Sequence, residues 1–200
     1  MRHFIFFLLT IGTFALQLIG CASTPKNQAK KSSLSKVFVT NTSRVDVLPP
    51  DSILEEIDDY FLFEGTYGGK TLTATVYLTL NQNEISAVLL NNFGIEMGTI
   101  NYDGTSAEVQ SSLFPKKLKP EYIILDLQNA FASPENLKNH YAKYGFDFCE
   151  LDAGEQKTER QLLKKKEIIE RIFIDKTENI IKIDNILRGY EYRFTKIIDE

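Results

Sequence analysis

The chain has 200 residues, 43% of them apolar, 25% charged and 12% aromatic, with a formal net charge of −4 and an isoelectric point near 5.4. That length builds one domain with a sizeable core and leaves too little for a second. The acidic balance argues against nucleic acid as a partner, because neutralising phosphates takes clustered Lys and Arg in excess.

In chain order, a short basic start, Met1-Arg2-His3, precedes an apolar stretch from Phe4 to Ile19 that ends in Leu18-Ile19-Gly20-Cys21. A charged n-region, a short apolar h-region and a small residue before cysteine make a secretory leader with a lipobox. The expectation is a signal peptide over residues 1–20, cleavage before Cys21, and lipidation of that cysteine by a diacylglycerol thioether and an N-terminal acyl chain of the palmitate type. The alternative, an uncleaved membrane span, needs about 20 apolar residues, and Gly12-Thr13 and Gln17 interrupt this stretch. Ala22 follows the lipobox in place of the aspartate that retains enteric lipoproteins at the inner membrane. The expected location is therefore the periplasmic face of the outer membrane. Once Cys21 is lipidated, Cys149 is the single remaining cysteine, so the domain is held by its core and not by a disulfide.

Residues 22–36 are polar, Ser-rich and lysine-bearing without an acid. They read as a flexible tether spanning roughly 20 Å, either solvated or touching anionic headgroups through its lysines. The tether is extended to residue 48, and the folded domain is assigned to residues 49–200. Asp51 or Ser52 caps an expected short helix carrying Glu55, Glu56, Asp58 and Asp59, a solvated helix end rather than a metal site.

From residue 60 the period becomes two. Leu72, Ala74, Val76, Leu78 and Leu80 share one face of residues 71–80, with four threonines and Tyr77 on the other, the pattern of a half-buried antiparallel strand. Gly68-Gly69 joins it to a strand over 60–67 as a two-residue hairpin. Strands at 85–90, 95–102 and 107–111 complete a meander. The period then shifts to helical. Pro120 opens an amphipathic helix with Ile123, Ile124, Leu127, Ala130 and Phe131 on one stripe, and Ser133-Pro134-Glu135 opens a second helix that Gly145 ends. Strand patterns resume at 146–151, 159–165, 167–174, 180–183 and 188–198. Sheet, helices and sheet imply an α+β fold, a single curved antiparallel sheet in a half-barrel, with the helical insert covering the concave face.

Catalytic motifs are sparse. His140 is the lone histidine after the leader, no G-x-S-x-G is present, and no His or Cys pair has metal-ligand spacing. No catalytic residue, cofactor or metal is expected, and the protein is read as a non-enzyme. Cys149 reads as a small apolar residue, and Gly65, Gly68 and Gly69 read as hairpin glycines. The 14 Phe and 9 Tyr, many on strands with a polar opposite face, fit either an ordinary filled core or a concavity holding an acyl chain.

Gly65-Thr66-Tyr67-Gly68-Gly69, Asn92-Phe93-Gly94-Ile95, Ile100-Asn101-Tyr102-Asp103-Gly104, Pro120-Glu121-Tyr122 with Leu125-Asp126-Leu127-Gln128, and Arg188-Gly189-Tyr190 together resemble a family of uncharacterised bacterial lipoproteins. That family is related in fold to the LolA and LolB lipoprotein-carrier superfamily. The resemblance covers residues 50–198. It implies an eleven-stranded LolB-like half-barrel with a helical lid, and a cargo that is a lipid or lipidated intermediate such as those of aryl-polyene gene clusters. It also implies a loop, 91–94, that presents an apolar residue to the membrane, with Phe93 in that position; burial of Phe93 in the core is the other reading. The chain departs from LolB in lacking tryptophan.

The leading expectation is an outer-membrane lipoprotein that binds or transfers an acyl-chain ligand without catalysis, with Leu72, Val76, Leu78, Leu89, Met97, Ile123, Leu127, Tyr190 and Tyr192 as ligand-binding residues. Its partners are then the membrane, through the lipid anchor, and an envelope or periplasmic carrier protein. The rival expectation is a docking lipoprotein of an envelope complex, with a filled core and no ligand.

Overall fold

The computed structural model describes residues 36–111 and 119–198; the leader, Cys21 and the first part of the tether lie outside the described residues. Twelve strands and two helices are present among them: β1 (Lys36–Phe38), β2 (Arg44–Asp46), β3 (Ile57–Tyr67), β4 (Lys70–Leu80), β5 (Ile85–Leu90), β6 (Glu96–Tyr102), β7 (Ala107–Ser111), α1 (Pro120–Phe131), α2 (Pro134–Ala142), β8 (Asp147–Gly154), β9 (Lys157–Lys164), β10 (Glu167–Asp175), β11 (Ile180–Asn185) and β12 (Tyr190–Lys196). Ten strands form one open antiparallel sheet in the order β7-β6-β5-β4-β3-β12-β11-β10-β9-β8. The expected α+β class holds, with ten strands in the sheet where the resemblance implied eleven.

The topology is a meander folded back on itself. Its two halves join where β12 pairs with β3, Phe194 opposite Phe63 and Tyr192 opposite Gly65. The hairpin between β3 and β4 is the tight Gly68-Gly69 turn, both glycines at positive φ of 57° and 74°, a conformation open to glycine at no steric cost. Helix α1 touches β6 and β7 on one side of this order and β10 and β11 on the other. In a flat sheet β7 and β10 would lie seven strand spacings apart, about 34 Å, whereas twelve residues of helix extend about 18 Å. The sheet therefore curls around the helix.

Alternation places Ala74, Val76, Leu78 and Leu80 of β4, Ile85, Ala87 and Leu89 of β5, and Ile100 and Tyr102 of β6 on the buried face. Ile124, Leu125, Leu127 and Ala130 of α1 meet them in one core. Helix α2 packs on β8, where Tyr141 stacks on Phe148 with ring centroids 5.8 Å apart.

Two expectations need correction. The packed domain starts before residue 49: β1 and β2 form a hairpin whose Val37 and Val45, with Val39 and Val47, are buried in the core. Alternating valines supply the apolar face that a tether lacks. His140 Nε2 lies 2.7 Å from the Asp46 carbonyl, the Tyr144 hydroxyl donates to Asp46 Oδ2 at 2.7 Å, and Gln128 Oε1 accepts from the Leu48 amide at 3.0 Å. The expected helix after Asp51 is a single 3-10 turn at Pro50–Ser52. The chain is then drawn extended, as Ile53 bridges Ala132 and the Leu54 amide donates to the Phe131 carbonyl at 3.1 Å. Satisfying the end of α1 outweighs a marginal local helix.

Candidate functional site

Between the N-terminal half of α1 and strands β3, β4, β5, β6, β11 and β12 lies a cavity of about 1010 Å³, at the upper end of the roughly 300–1,000 Å³ of small-molecule sites. Its deep wall is aliphatic: Val76, Leu78, Ala87, Leu89 and Ile100 line it and are almost wholly buried. Its mouth lies at the end of the sheet that carries the β3–β4 hairpin and the β11–β12 turn, where Thr66, Tyr67, Lys70, Thr71, Leu187 and Arg188 line it. Gly65 helps leave the space open. It sits between Leu72 and Tyr192 in the register, and a β-carbon there would meet the Phe63 ring at 2.8 Å.

The structure brings eight of the nine expected ligand-binding residues to this one cavity: Leu72, Val76, Leu78, Leu89, Ile123, Leu127, Tyr190 and Tyr192. Met97 is the exception. It is one residue out of phase with the buried Gly98, Ile100 and Tyr102, beside a register break between Leu89 and Leu90, and it packs at the edge of the core without lining the cavity. Counting back by twos from Tyr102 and Ile100 arrives at Gly98, so alternation along β6 assigns the inward position to that glycine and not to Met97.

Phe93 is 88% exposed, which settles its position against the core reading. The loop that presents it is ordered by Asn91, whose Oδ1 accepts from the Phe93 amide at 2.9 Å and the Ile95 amide at 3.0 Å. Gly94 closes the turn at φ 73°. Strand β5 runs toward the end of the sheet that carries the cavity mouth and gives way to the β5–β6 loop half-way along β4, where Leu90 pairs with Thr75.

A buried polar network, which hydrophobic periodicity gave no means of finding, forms part of the wall. The Tyr190 hydroxyl donates to Asp126 Oδ2 at 2.7 Å, and Asp126 in turn donates to Glu170. Asn129 and Asn185 donate to the two Glu170 oxygens at 2.8 and 3.0 Å, and the Tyr141 hydroxyl donates to Asn129 at 2.7 Å. Desolvation, then the Glu170 charge, holds Asp126 well above the usual carboxylate range, and desolvation pushes Glu170 up to about 6. The pair keeps one proton, on Asp126, because two adjacent buried carboxylates cannot both ionise cheaply. Glu170 reaches this place through a bulge: the register breaks between Ile168 and Glu170, so Ile169 and Glu170 are buried side by side. Arg160, equally buried, donates to the carbonyls of Asn129, Ala130 and Ala132 at 3.1, 2.7 and 3.0 Å and to Glu150 at 2.7 Å. It thereby satisfies the C-terminal end of α1.

Other residues with chemical potential are occupied or inert. His140 is tied to Asp46, and burial lowers its pKa. Burial raises the Cys149 thiol, away from the reactive thiolate. Among the described residues, no group of three His, Cys, Asp or Glu side chains could hold a metal ion, and no helix is long and apolar enough to cross a membrane.

No curated protein matches the chain. Among solved structures, a DUF1329 family protein from Desulfovibrio piger is similar at 11% identity, over 74% of this chain and 87% of that one, with a TM-score of 0.24. A family model described as Protein of unknown function (DUF3261) matches residues 62–197, a span running from β3 through β12 and containing all of α1. The chain therefore belongs to the DUF3261 family of proteins of unknown function.

Proposed function

We propose that this protein is a lipid-anchored carrier of the outer membrane that accepts or transfers an acyl-chain ligand in the periplasm without catalysing a reaction, in the manner of LolB-like half-barrels. The observation that carries the reading is the cavity: aliphatic at its base, open at one end and about 1010 Å³ in volume. A sheet curled around one helix keeps its inner strands apart, so side chains from both walls leave room that a filled core would not. Phe93, on a loop that points toward the mouth's end, supports exchange with a membrane, since an exposed aromatic on a hydrogen-bonded turn gains by entering a bilayer. The Asp126 proton and the Tyr190 hydroxyl are both spent inside the protein, which speaks for a wall that supports α1 and against acid-base chemistry on a ligand.

Mass spectrometry of organic extracts from the full-length protein, purified from expressing cells, tests the proposal; the covalent anchor stays with the polypeptide while a bound ligand is released. A stoichiometric acyl lipid is expected. An extract without lipid, together with failure to take up added long-chain fatty acid, would overturn the carrier reading and leave the docking lipoprotein in its place.

A further inference from the structure

Charge is distributed unevenly around the cavity. The chain is acidic overall, at −4, yet the charged side chains at the mouth are Lys70, Lys119 and Arg188, and the one acid on the described lining is Asp126, which holds a proton. On neighbouring strands cations are matched by carboxylates, as in Lys182–Glu191, Arg193–Glu64 and Lys196–Asp59. Among the described residues no carboxylate lies within ion-pair distance of Lys70, Lys119 or Arg188.

Arg188 is the most constrained of the three. Its amide donates to Asn185 Oδ1 at 3.0 Å, its guanidinium carbon lies 4.6 Å from the Tyr122 ring centroid, and its Nη2 donates to the Phe38 carbonyl. Held flat on α1 and pinned at one nitrogen, it keeps most of its five N–H donors for another acceptor, and a planar fork of donors suits a carboxylate or phosphate. The N-terminus of α1 opens beside it with Lys119 at the N-cap and no side chain capping the first turn, so the positive end of the helix dipole adds to the same field. Glu121, the first-turn acid, is absent from the cavity lining; it lines an adjoining surface depression with Lys36 and Arg44, and Lys119 and Tyr122 border both.

We infer that the ligand of this cavity is an anionic amphiphile, whose acyl chain enters the aliphatic base while its carboxylate or phosphate headgroup is held at the mouth by Arg188, with Lys70 and Lys119. This rests on the acyl-chain reading above and adds to it the chemical class of the headgroup.

The test uses full-length protein in nanodiscs of zwitterionic phospholipid, photolabelled with sixteen-carbon chains that carry a diazirine near the tail and a carboxylate, phosphate or hydroxyl head. Labelling is normalised to each probe's concentration in the bilayer. Cavity residues are expected to be labelled about tenfold more by an anionic head than by the hydroxyl, a preference for carboxylate pointing to fatty acids and one for phosphate to phospholipids. In Arg188→Gln the ratio falls toward one. The double variant Lys70→Gln/Lys119→Gln, which changes exposed side chains alone, lowers it in the same direction even if Arg188→Gln melts early. Strong but equal labelling by all three probes would overturn the headgroup assignment and leave the acyl-chain reading standing. No cavity labelling by any probe would overturn that reading itself. An anionic preference unchanged in both variants would overturn the role of these residues.

Discussion

Tyr190 on β12 donates a 2.7 Å hydrogen bond to Asp126 on α1, so the helix is tied to the sheet across the inner wall of the cavity by a contact whose acceptor is a protonated acid. The bond joins positions 64 residues apart, and it makes the stability of the cavity wall depend on pH. Asp126 and Glu170 have folded-state pKa values above their ordinary ones, because burial disfavours their charged forms. These two groups thus hold more protons in the folded protein than in the unfolded chain, and the stability they contribute falls as pH rises through the range from the ordinary carboxylate values to the raised ones, while His140, lowered by burial, acts in the opposite sense below its ordinary value.

The first prediction follows from that sign. Denaturant unfolding is expected to show the pair contributing more stability at pH 5 than at pH 8, with Glu170 alone accounting for about 1 kcal/mol of that difference from its rise to about 6. Asp126→Asn keeps an acceptor for Tyr190 and a donor for Glu170 while removing the titration, so it should be more stable than the parent at pH 8 and less dependent on pH. Asp126→Ala should be less stable at both. The same pH dependence in Asp126→Asn as in the parent protein would show that the pair is not buried as described.

Leu72 stands at the mouth, 44% exposed and opposite Gly65. Leu72→Trp is expected to obstruct entry and reduce uptake of a fluorescent fatty acid several-fold, while shifting stability by less than about 0.5 kcal/mol, as for most surface substitutions. Unchanged uptake would place the route elsewhere.

Phe93→Glu is expected to leave the melting temperature unchanged, since the side chain is exposed. It should slow transfer of a bound fluorescent fatty acid to phospholipid vesicles by about tenfold. That factor corresponds to about 1.4 kcal/mol, within what burial of one phenylalanine contributes. Early melting would mean that the loop also supports the core.

Arg160→Met should destabilise the domain by about 3 kcal/mol, because three carbonyls at the end of α1 and Glu150 lose their donor at once. Arg160→Lys should recover little of that, as one ammonium cannot reproduce the guanidinium geometry. Equal unfolding midpoints for Arg160→Met and the parent would show that the C-terminal end of α1 is satisfied by other means.

Much of the architecture was legible because periodicity is a local signal. The face carrying Ala74, Val76, Leu78 and Leu80, the Gly68-Gly69 turn, and Pro120 as the opening of α1 could all be read from residues a few positions apart, and all are found as expected. Eight of the nine proposed lining residues share one cavity for the same reason: the inward face of a strand is set by alternation once its ends are fixed.

What escaped that reading was decided by contacts distant in sequence. Glu170 sits beside a register break, and a bulge cannot be placed without the partner strand. Val37 and Val45 looked like linker because three-residue strands carry almost no periodicity, yet docking the hairpin on α1 and α2 buries them. Asp126 and Glu170 lie 44 positions apart, and only the curl of the sheet around α1 brings them to one wall and makes them share a proton. The sequence by itself determined which residues face inward, since side-chain alternation and helical spacing are properties of the local backbone. The tertiary structure alone decided that the inward faces enclose a cavity and that Lys70, Lys119 and Arg188 gather at its mouth, because curvature and charge placement arise from how strands far apart in sequence pair around the helix.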